Sequence, residues 1–584
     1  MHQAGWARRR RTGTGAAVTS LTFFLVLAFA ACAPAPTARP GTITSPTNEA
    51  PRTLNLGVRY EITQLAAKWS SGITSGATKR LFNAGLTLVD ARGTILPYLA
   101  ENVPQLNTDS WRVSPDGQME TTYRLRPNLT WHDGRAVTAD DFVFAWHMYT
   151  NRDLGVFGSS PQDRMAEATA PDPRTLIIRW RTLYPDADHV GLNELAPLPQ
   201  RILGDAFSAF ERDPAQQDAL VNHPYWAHEF VGVGPYRLAE RIEGASVEAI
   251  AFEGHALGPP KIDRIIVHFI GDENTMLTNL LSENVDVALD NSLRYEHAVV
   301  LKRDWSDGQK GTVLLDPVQP RLTNIQLRPE YANPQALLDV RVRRALAYSL
   351  DKRALIDGLF EGGDVPLADQ FLPATIPYFQ DMDRGITKYP YDLKQADQLL
   401  GEIGYRKGTD SGYASPTGER FAFEHWVIAG SQNERQSAIM ADGWRRAGFD
   451  VKEYAIPSAQ STNGEVRGTF PSLSSVATGG GETNLNFLST AQIPSPANRW
   501  SGNNRGAWSN PDYDRLWESF LGTLDRAERN RQAIEMMRLA TQDVAMLFLF
   551  HNPDITAFWG KVQGPTLGSP DAPTIGNVYQ WELR

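Results

Sequence analysis

The residues best equipped for chemistry in this chain are few and scattered. "WHDGR", residues 131–135, sets His132 beside Asp133, as a base oriented by a carboxylate would require. Asp-Gly is a turn dipeptide, however, and neighbours in a hairpin point to opposite faces, so the pair reads as structural. The eleven histidines form no HExxH helix and find no cysteine partners for zinc. No GxSxG elbow supplies a serine nucleophile, and no GxxxxGK[ST] loop supplies a phosphate cradle. An exported hydrolase or esterase, the competing class, therefore lacks its nucleophile–base or paired-carboxylate constellation. No cofactor, no metal and no enzymatic activity are expected. What remains are groups that bind. Arg59, Tyr60 and Glu61 follow a first strand, and Trp426 lies on a strand that runs into "AGSQN". "TGGGETN" brings Gly479, Gly480, Gly481, Glu482 and Asn484 together, and Trp500 follows. Aromatics with a few polar groups suit an amphipathic solute, and glycines let backbone amides approach a ligand closely. The same side chains would equally pack or face solvent, and the glycines would equally make an ordinary loop.

One further group has a chemistry of its own. Cys32, the only cysteine among 584 residues, sits in "LAFAACAPAP". Arg8 to Arg11 form a positive block, and an apolar run from Ala16 to Ala31 follows, the order of an export signal. That run is too short for a comfortable bilayer span of ~20 residues. A cysteine after two small residues resembles the bacterial lipoprotein signal, in which the thiol takes a diacylglycerol and becomes the new N-terminus. Phe29 stands where that signal has Leu, and "AFAA" also fits ordinary signal peptidase. "APAPTARPGTITSPTNEAPR", 33–52, reads as a disordered tether.

Composition narrows the classes. The chain carries 57 basic and 67 acidic residues, a net charge of −10, and a leader with four arginines and no acid deepens it to −14. Such a balance argues against nucleic acid and against a polybasic membrane patch. A body of about 530 residues buries enough surface without disulfide staples, and its length suggests two to four domains.

The elements that must position these groups alternate between strand and helix, indicating α/β or α+β domains without an internal repeat. "TLNLGV" and "TTYRLRP" alternate as strands, and Thr138 with Asp141 opens the helix "DFVFAWHMY". Asp339 caps a helix whose Val342, Ala345, Leu346 and Ser349 share a face. Asp392 caps another, carrying Ala396, Leu399 and Leu400. Asn510 with Pro511 begins a third. "RAERNRQAIEMMRLATQDV" is a long amphipathic helix before the strand "AMLFLF".

Taken in order, "LFNAGLTLVDARGTILPYLAENVP", "YRLRPNLTWHDGRAVTADDFVFAW", "GVGPYRL", "SENVDVALD", "DVRVRRALAYSLDKRALIDGLFEGG" and "YPYDLKQADQLLGEIGY" resemble the extracellular solute-binding proteins of family 5. These are the dipeptide-, oligopeptide- and nickel-binding components of ABC importers. The resemblance covers nearly the whole mature chain. It implies a two-lobed periplasmic-binding-protein fold of the type II class with an extra inserted subdomain. Lobe I would comprise 53–88, 196–317 and 550–584, the subdomain 89–195, and lobe II 318–549. The hinge would lie near "LLDPVQPRLTNIQL" and "FLFHNPDITAFW". Implied partners are a peptide or other small solute, an ABC permease and its ATPase subunits. The membrane would be reached only through the N-terminal lipid. The protein would be a monomer outside the cytoplasmic membrane. A sensor using the same closure is the related alternative. Peptide-binding relatives carry an aspartate that pairs with the ligand's ammonium, and aligned on "NFL" it falls at Gly480. Either Glu482 substitutes for it or the ligand has no free amine.

Overall fold

The computed structural model describes residues 51–584 apart from 63, 69–75, 155–160, 307, 309, 499 and 569–572. Cys32, the leader and most of the tether lie outside the described residues. Ten strands form one sheet: Thr53–Val58 (β1), Tyr236–Ile242 (β2), Ser246–Ala251 (β3), Arg264–Phe269 (β4), Val287–Ala288 (β5), Gly311–Ile325 (β6), Ala422–Ile428 (β7), Asp450–Ile456 (β8), Leu473–Ala477 (β9) and Met546–Trp559 (β10). Their order is β8-β7-β9-β6-β10-β5-β1-β4-β3-β2. The early strands and the late strands thus lie on opposite sides of β6 and β10.

Each half has its own interior. On the early side, Leu56 and Val267 of the large sheet share one core with Trp111, Tyr123 and Ile178 of a four-stranded sheet. That smaller sheet comprises Trp111–Val113, Met119–Arg124, Thr175–Trp180 and Met165–Asp172. The helix Ala139–Thr150 (α1) packs on it. Its entry is held by Asp141, which accepts from the Thr138 amide at 3.0 Å and the Trp131 indole at 3.3 Å. The expected hairpin around "WHDGR" is smaller than anticipated. Gly134, at φ +82°, closes a turn onto the Trp131 carbonyl at 2.8 Å, and a single bridge joins Thr130 to Ala136. The helix Tyr295–Asp304 (α2) covers β5 and β10 through Leu301 and Ile555.

On the late side, one sheet face packs against Val340–Tyr348 (α3), Lys352–Phe360 (α4), Leu393–Glu402 (α5) and Ser431–Ala447 (α6), through Leu346, Ile356, Leu400 and Trp444. The other face packs against Pro511–Phe520 (α7) and Arg526–Gln542 (α8), through Tyr513, Met536 and Phe548. The three expected caps are present. Asp339 accepts from the Arg341 amide at 2.8 Å, Asp392 from Lys394 at 2.9 Å, and Asn510 from Asp512 at 2.9 Å. Each such cap contributes about 1 kcal/mol.

Strands β6 and β10 run antiparallel from one half into the other, pairing Gly311 with Trp559 at one end and Asn324 with Met546 at the other. A third strand joins β6 at Arg321–Ile325 and β10 at Ala557 and Phe558, and residues 366–368 bond to β10 at Leu549–His551. In between, the ladder is a two-stranded ribbon with a register shift between Asp316 and Gln319. Such a ribbon bends more readily than a sheet bounded on both sides, as the expected hinge requires.

Asp316 and Asp554 face each other across this ribbon. Burial, then the Asp554 carboxylate, pushes Asp316 up to about 7. Burial also raises Asp554, which accepts from the Asn291 amide at 3.0 Å. A carboxyl whose folded pKa exceeds the unfolded value of about 3.9 stabilises the fold at low pH and loses that contribution as pH rises to about 7. Asp316→Asn is therefore expected to be less destabilised than the parent between pH 5 and pH 8. Urea unfolding across that range checks it, and parallel curves would refute it.

Candidate ligand-binding cleft

In open α/β sheets, ligands sit in crevices outside the carboxyl ends of parallel strands. Here β1 and β4 end at Val58 and Phe269 in one half, and β7 and β9 end at Ile428 and Ala477 in the other. Beside the ribbon, the loop leaving β7 meets the segment that follows β5. A cavity of about 20 Å³ between them is lined by Asn291 and Arg294 from the early half, Gln432 and Arg435 from the late half, and Asn552 of β10. That volume admits about one water. The Tyr295 ring stands edge-on to Phe360 with centroids 5.1 Å apart, so the halves touch here.

None of the sequence-predicted site residues lines this cavity. Arg59 leaves β1 and binds Glu273 at 2.6 Å, while its guanidinium lies 5.5 Å from the Tyr60 ring centre. Glu273 also receives Arg294 at 3.1 Å. Glu61 pairs with Arg241 of β2 at 3.2 Å. These ion pairs lie within one half, and Glu273 shares its single charge between Arg59 and Arg294. The glycine loop leaves β9 and is tied to the ribbon by the Thr478 amide on the Pro320 carbonyl at 3.1 Å. Asn484 folds back beneath it, its amide on the Gly481 carbonyl at 2.9 Å; a Cβ on Gly479 would come within 3.2 Å of the Asn484 side chain. Gly480 is buried and Gly479 exposed.

Glu482 departs from the expectation of a free anchor. Its carboxylate accepts from the Tyr378 hydroxyl at 2.7 Å and pairs with Arg529 at 3.4 Å and Arg526 at 3.7 Å. An ammonium would have to compete with two guanidiniums for it. Arg529, only 6% exposed, also makes a two-pronged contact with Asp186 at 2.5 and 2.8 Å and lies 4.4 Å over the Phe520 ring centre. Burial alone would lower the Arg529 pKa, but Asp186 and Glu482 hold it above its ordinary value. Beside them, burial and the Asp186 charge push Asp188 up to about 6. Asp186 belongs to the segment that packs with the early half, and Arg529 is on α8 of the late half, so this ion pair joins the two. Leu524 adds an apolar contact by packing against the early core.

Residues 101–498 match the middle region of the bacterial extracellular solute-binding proteins, family 5. The chain belongs to that family. It is 22% identical over 408 residues to the oligopeptide-binding protein AppA of Bacillus subtilis, covering 69% of each chain. It is 24% identical over 477 residues to heme-binding protein A of Haemophilus influenzae, covering 78% of each. Among solved structures, NikZ of Campylobacter jejuni in complex with Ni(L-His) superposes with a TM-score of 0.71 at 21% identity, over 91% of this chain and 99% of that one. The oligopeptide-binding protein of Thermus thermophilus complexed with a pentapeptide gives 0.71 at 20% identity, over 91% and 96%. The fold is thus the two-lobed type II periplasmic-binding-protein fold.

In this solute-binding protein "WHDGR" is structural. His132 Nδ1 accepts from the Gly232 amide and Nε2 donates to the Gly234 carbonyl, both at 3.1 Å, locking "GVGPY" in place. Burial lowers His132 to about 4, so the ring is neutral at pH 7. Asp133 pairs with Arg201 at 2.5 Å. Trp426 is half-buried on β7, its indole on Glu424 at 2.7 Å and its ring 4.5 Å from that of Tyr454. Trp500 stands elsewhere than expected. It packs over Gly468 and Arg328, beyond the starting end of β9, whereas the glycine loop leaves the other end. The segment between them doubles back along the sheet, which no local pattern announces.

Proposed function

We propose that this solute-binding protein is the capture component of an ABC importer, closing two lobes over a small organic solute and delivering it to a membrane permease. The crossing ribbon carries the reading, because segments from both halves converge beside a stretch of the sheet that only two strands form. Ligand that touches both lobes shifts the population from open to closed. Lobe I comprises 53–88, 196–317 and 550–584, the inserted subdomain 89–195 and lobe II 318–549. The protein makes and breaks no bonds; the ATPase resides in separate subunits. It works as a monomer outside the cytoplasmic membrane, held by lipid on Cys32, and the tether raises its effective concentration near the permease.

The relatives named above bind different solutes, so family alone does not choose the ligand. Gly480 lacks a side chain, and Glu482 is paired with Arg526 and Arg529. Both support a solute without a free amine. Native mass spectrometry of fresh protein is expected to show a co-purified solute. Its re-addition at a hundredfold its Kd should stabilise the protein by about 2.7 kcal/mol and reduce the radius of gyration. An unchanged scattering curve and unchanged melting with every solute pool would sink the proposal. Stabilisation by dipeptides and oligopeptides would instead refute the amine-free ligand.

A further inference from the structure

On the late half, one sheet face carries Trp426, Ser474 and Asn324, which stand in register across β7, β9 and β6. Gln326, next on that side, donates to the Gly468 and Phe470 carbonyls at 3.2 and 2.7 Å. It thereby holds the short helix Gly464–Gly468 at the starting end of β9. The guanidinium of Arg328 then gathers three loops. It donates to the Gly468 carbonyl, to that of Pro494 at 3.0 Å and to that of Arg505 at 3.3 Å. One planar group touching both carbonyls brings the backbones at 468 and 505 within a side chain's reach of each other. Asn504 fixes the second of them by donating to the Leu488, Ser489 and Trp508 carbonyls at 3.2, 3.1 and 2.7 Å.

The result is a juxtaposition of Arg467 with Arg505. Both are half-buried, and among the described residues neither side chain has a hydrogen bond or an ion pair. Arg328, beside them, has its donors committed to carbonyls. Burial and the charge of Arg467 lower Arg505 to about 10, burial lowers Arg467, and no carboxylate counters either shift. Bringing two guanidiniums together out of water without an acid opposes folding, and an anion between them reverses the sign. Guanidinium forks match the two oxygens of a carboxylate or phosphate.

We infer that Arg467 and Arg505 form an anion-binding site on the late half that takes a carboxylate or phosphate group of a small molecule. Wild-type protein melted in inorganic phosphate is expected to gain about 2 °C over chloride at equal ionic strength. R467Q and R505Q should each lose that gain and weaken phosphate binding, read by calorimetry, at least tenfold. In chloride both variants should melt at or above the wild-type temperature, since each removes a like-charge contact. An equal phosphate response in all three proteins overturns the site. So does a lower melting point in chloride with the phosphate response intact. Should R505Q fail to fold, R467Q carries the same readout from an independent loop. Scattering in the same series is expected to stay unchanged, because the site lies at the starting end of β9, away from the crevice at its carboxyl end; compaction by phosphate would overturn that placement. Neither outcome depends on the importer reading, because a protein that never compacts still registers phosphate by calorimetry.

Discussion

Arg529→Ala is expected to destabilise the protein by about 3 kcal/mol and to open it in the absence of any solute. The substitution leaves Glu482, 18% exposed, with only Tyr378 and Arg526, and removes both prongs from Asp186. Breaking a buried pair from one side costs about 3–5 kcal/mol, and Asp186 at 37% exposure recovers part of that from water. The lower end of the range therefore applies. Because Asp186 and Arg529 sit on opposite halves, the loss falls on the touching arrangement more than on either half alone. Apparent solute affinity should fall with the fraction of closed protein. Arg529→Lys should restore the charge but not the fork, and so rescue only part. Unfolding curves together with ligand-free scattering test this; a variant with wild-type stability and dimensions would show that the contact does not hold the halves together.

Gly232→Ala should cost about 3 kcal/mol or more, although it adds one methyl group. A Cβ at this position would lie 1.9 Å from the Phe82 carbonyl oxygen and 2.8 Å from the Phe230 ring. The nearest obstacle is backbone and cannot rotate away. Gly234 is confined by the same segment, a Cβ there reaching the Phe82 carbonyl carbon at 2.4 Å, and its own amide donates to the Phe82 oxygen at 3.0 Å. The control is Gly204→Ala on the helix Gln200–Arg212, where a Cβ meets only a Gln200 side-chain carbon at 3.5 Å. That change is expected to be neutral or to stabilise by up to about 1 kcal/mol. Similar losses for the two variants would remove the close-approach argument.

How much was legible beforehand follows from the range of each interaction. The caps at Asp339, Asp392 and Asn510 were readable because cap and amide lie two residues apart. The turn at Gly134 was readable, but the strands expected around it were not formed beyond one bridge. Arg529 read as one charge among many in "RAERNRQ". The available signal was its position on the stripe that continues through Ala533, Met536 and Ala540, all buried. Nothing in that stripe points to Asp186, 343 residues away. Glu482 looked free because the arginines that engage it lie on a helix more than forty residues further on.

The sequence by itself determined the alternation of strands and helices, the capped starts at Asp339, Asp392 and Asn510, and a motif order that implied the family. These depend on neighbours within a turn or a strand, where covalent connection has already brought the partners together. Only the tertiary structure decided where charges meet: Arg529 with Asp186, Arg467 against Arg505, Asp316 across from Asp554. Those encounters depend on which strands pair and in what register, and register is set by the burial of a whole face rather than by any residue's own preference.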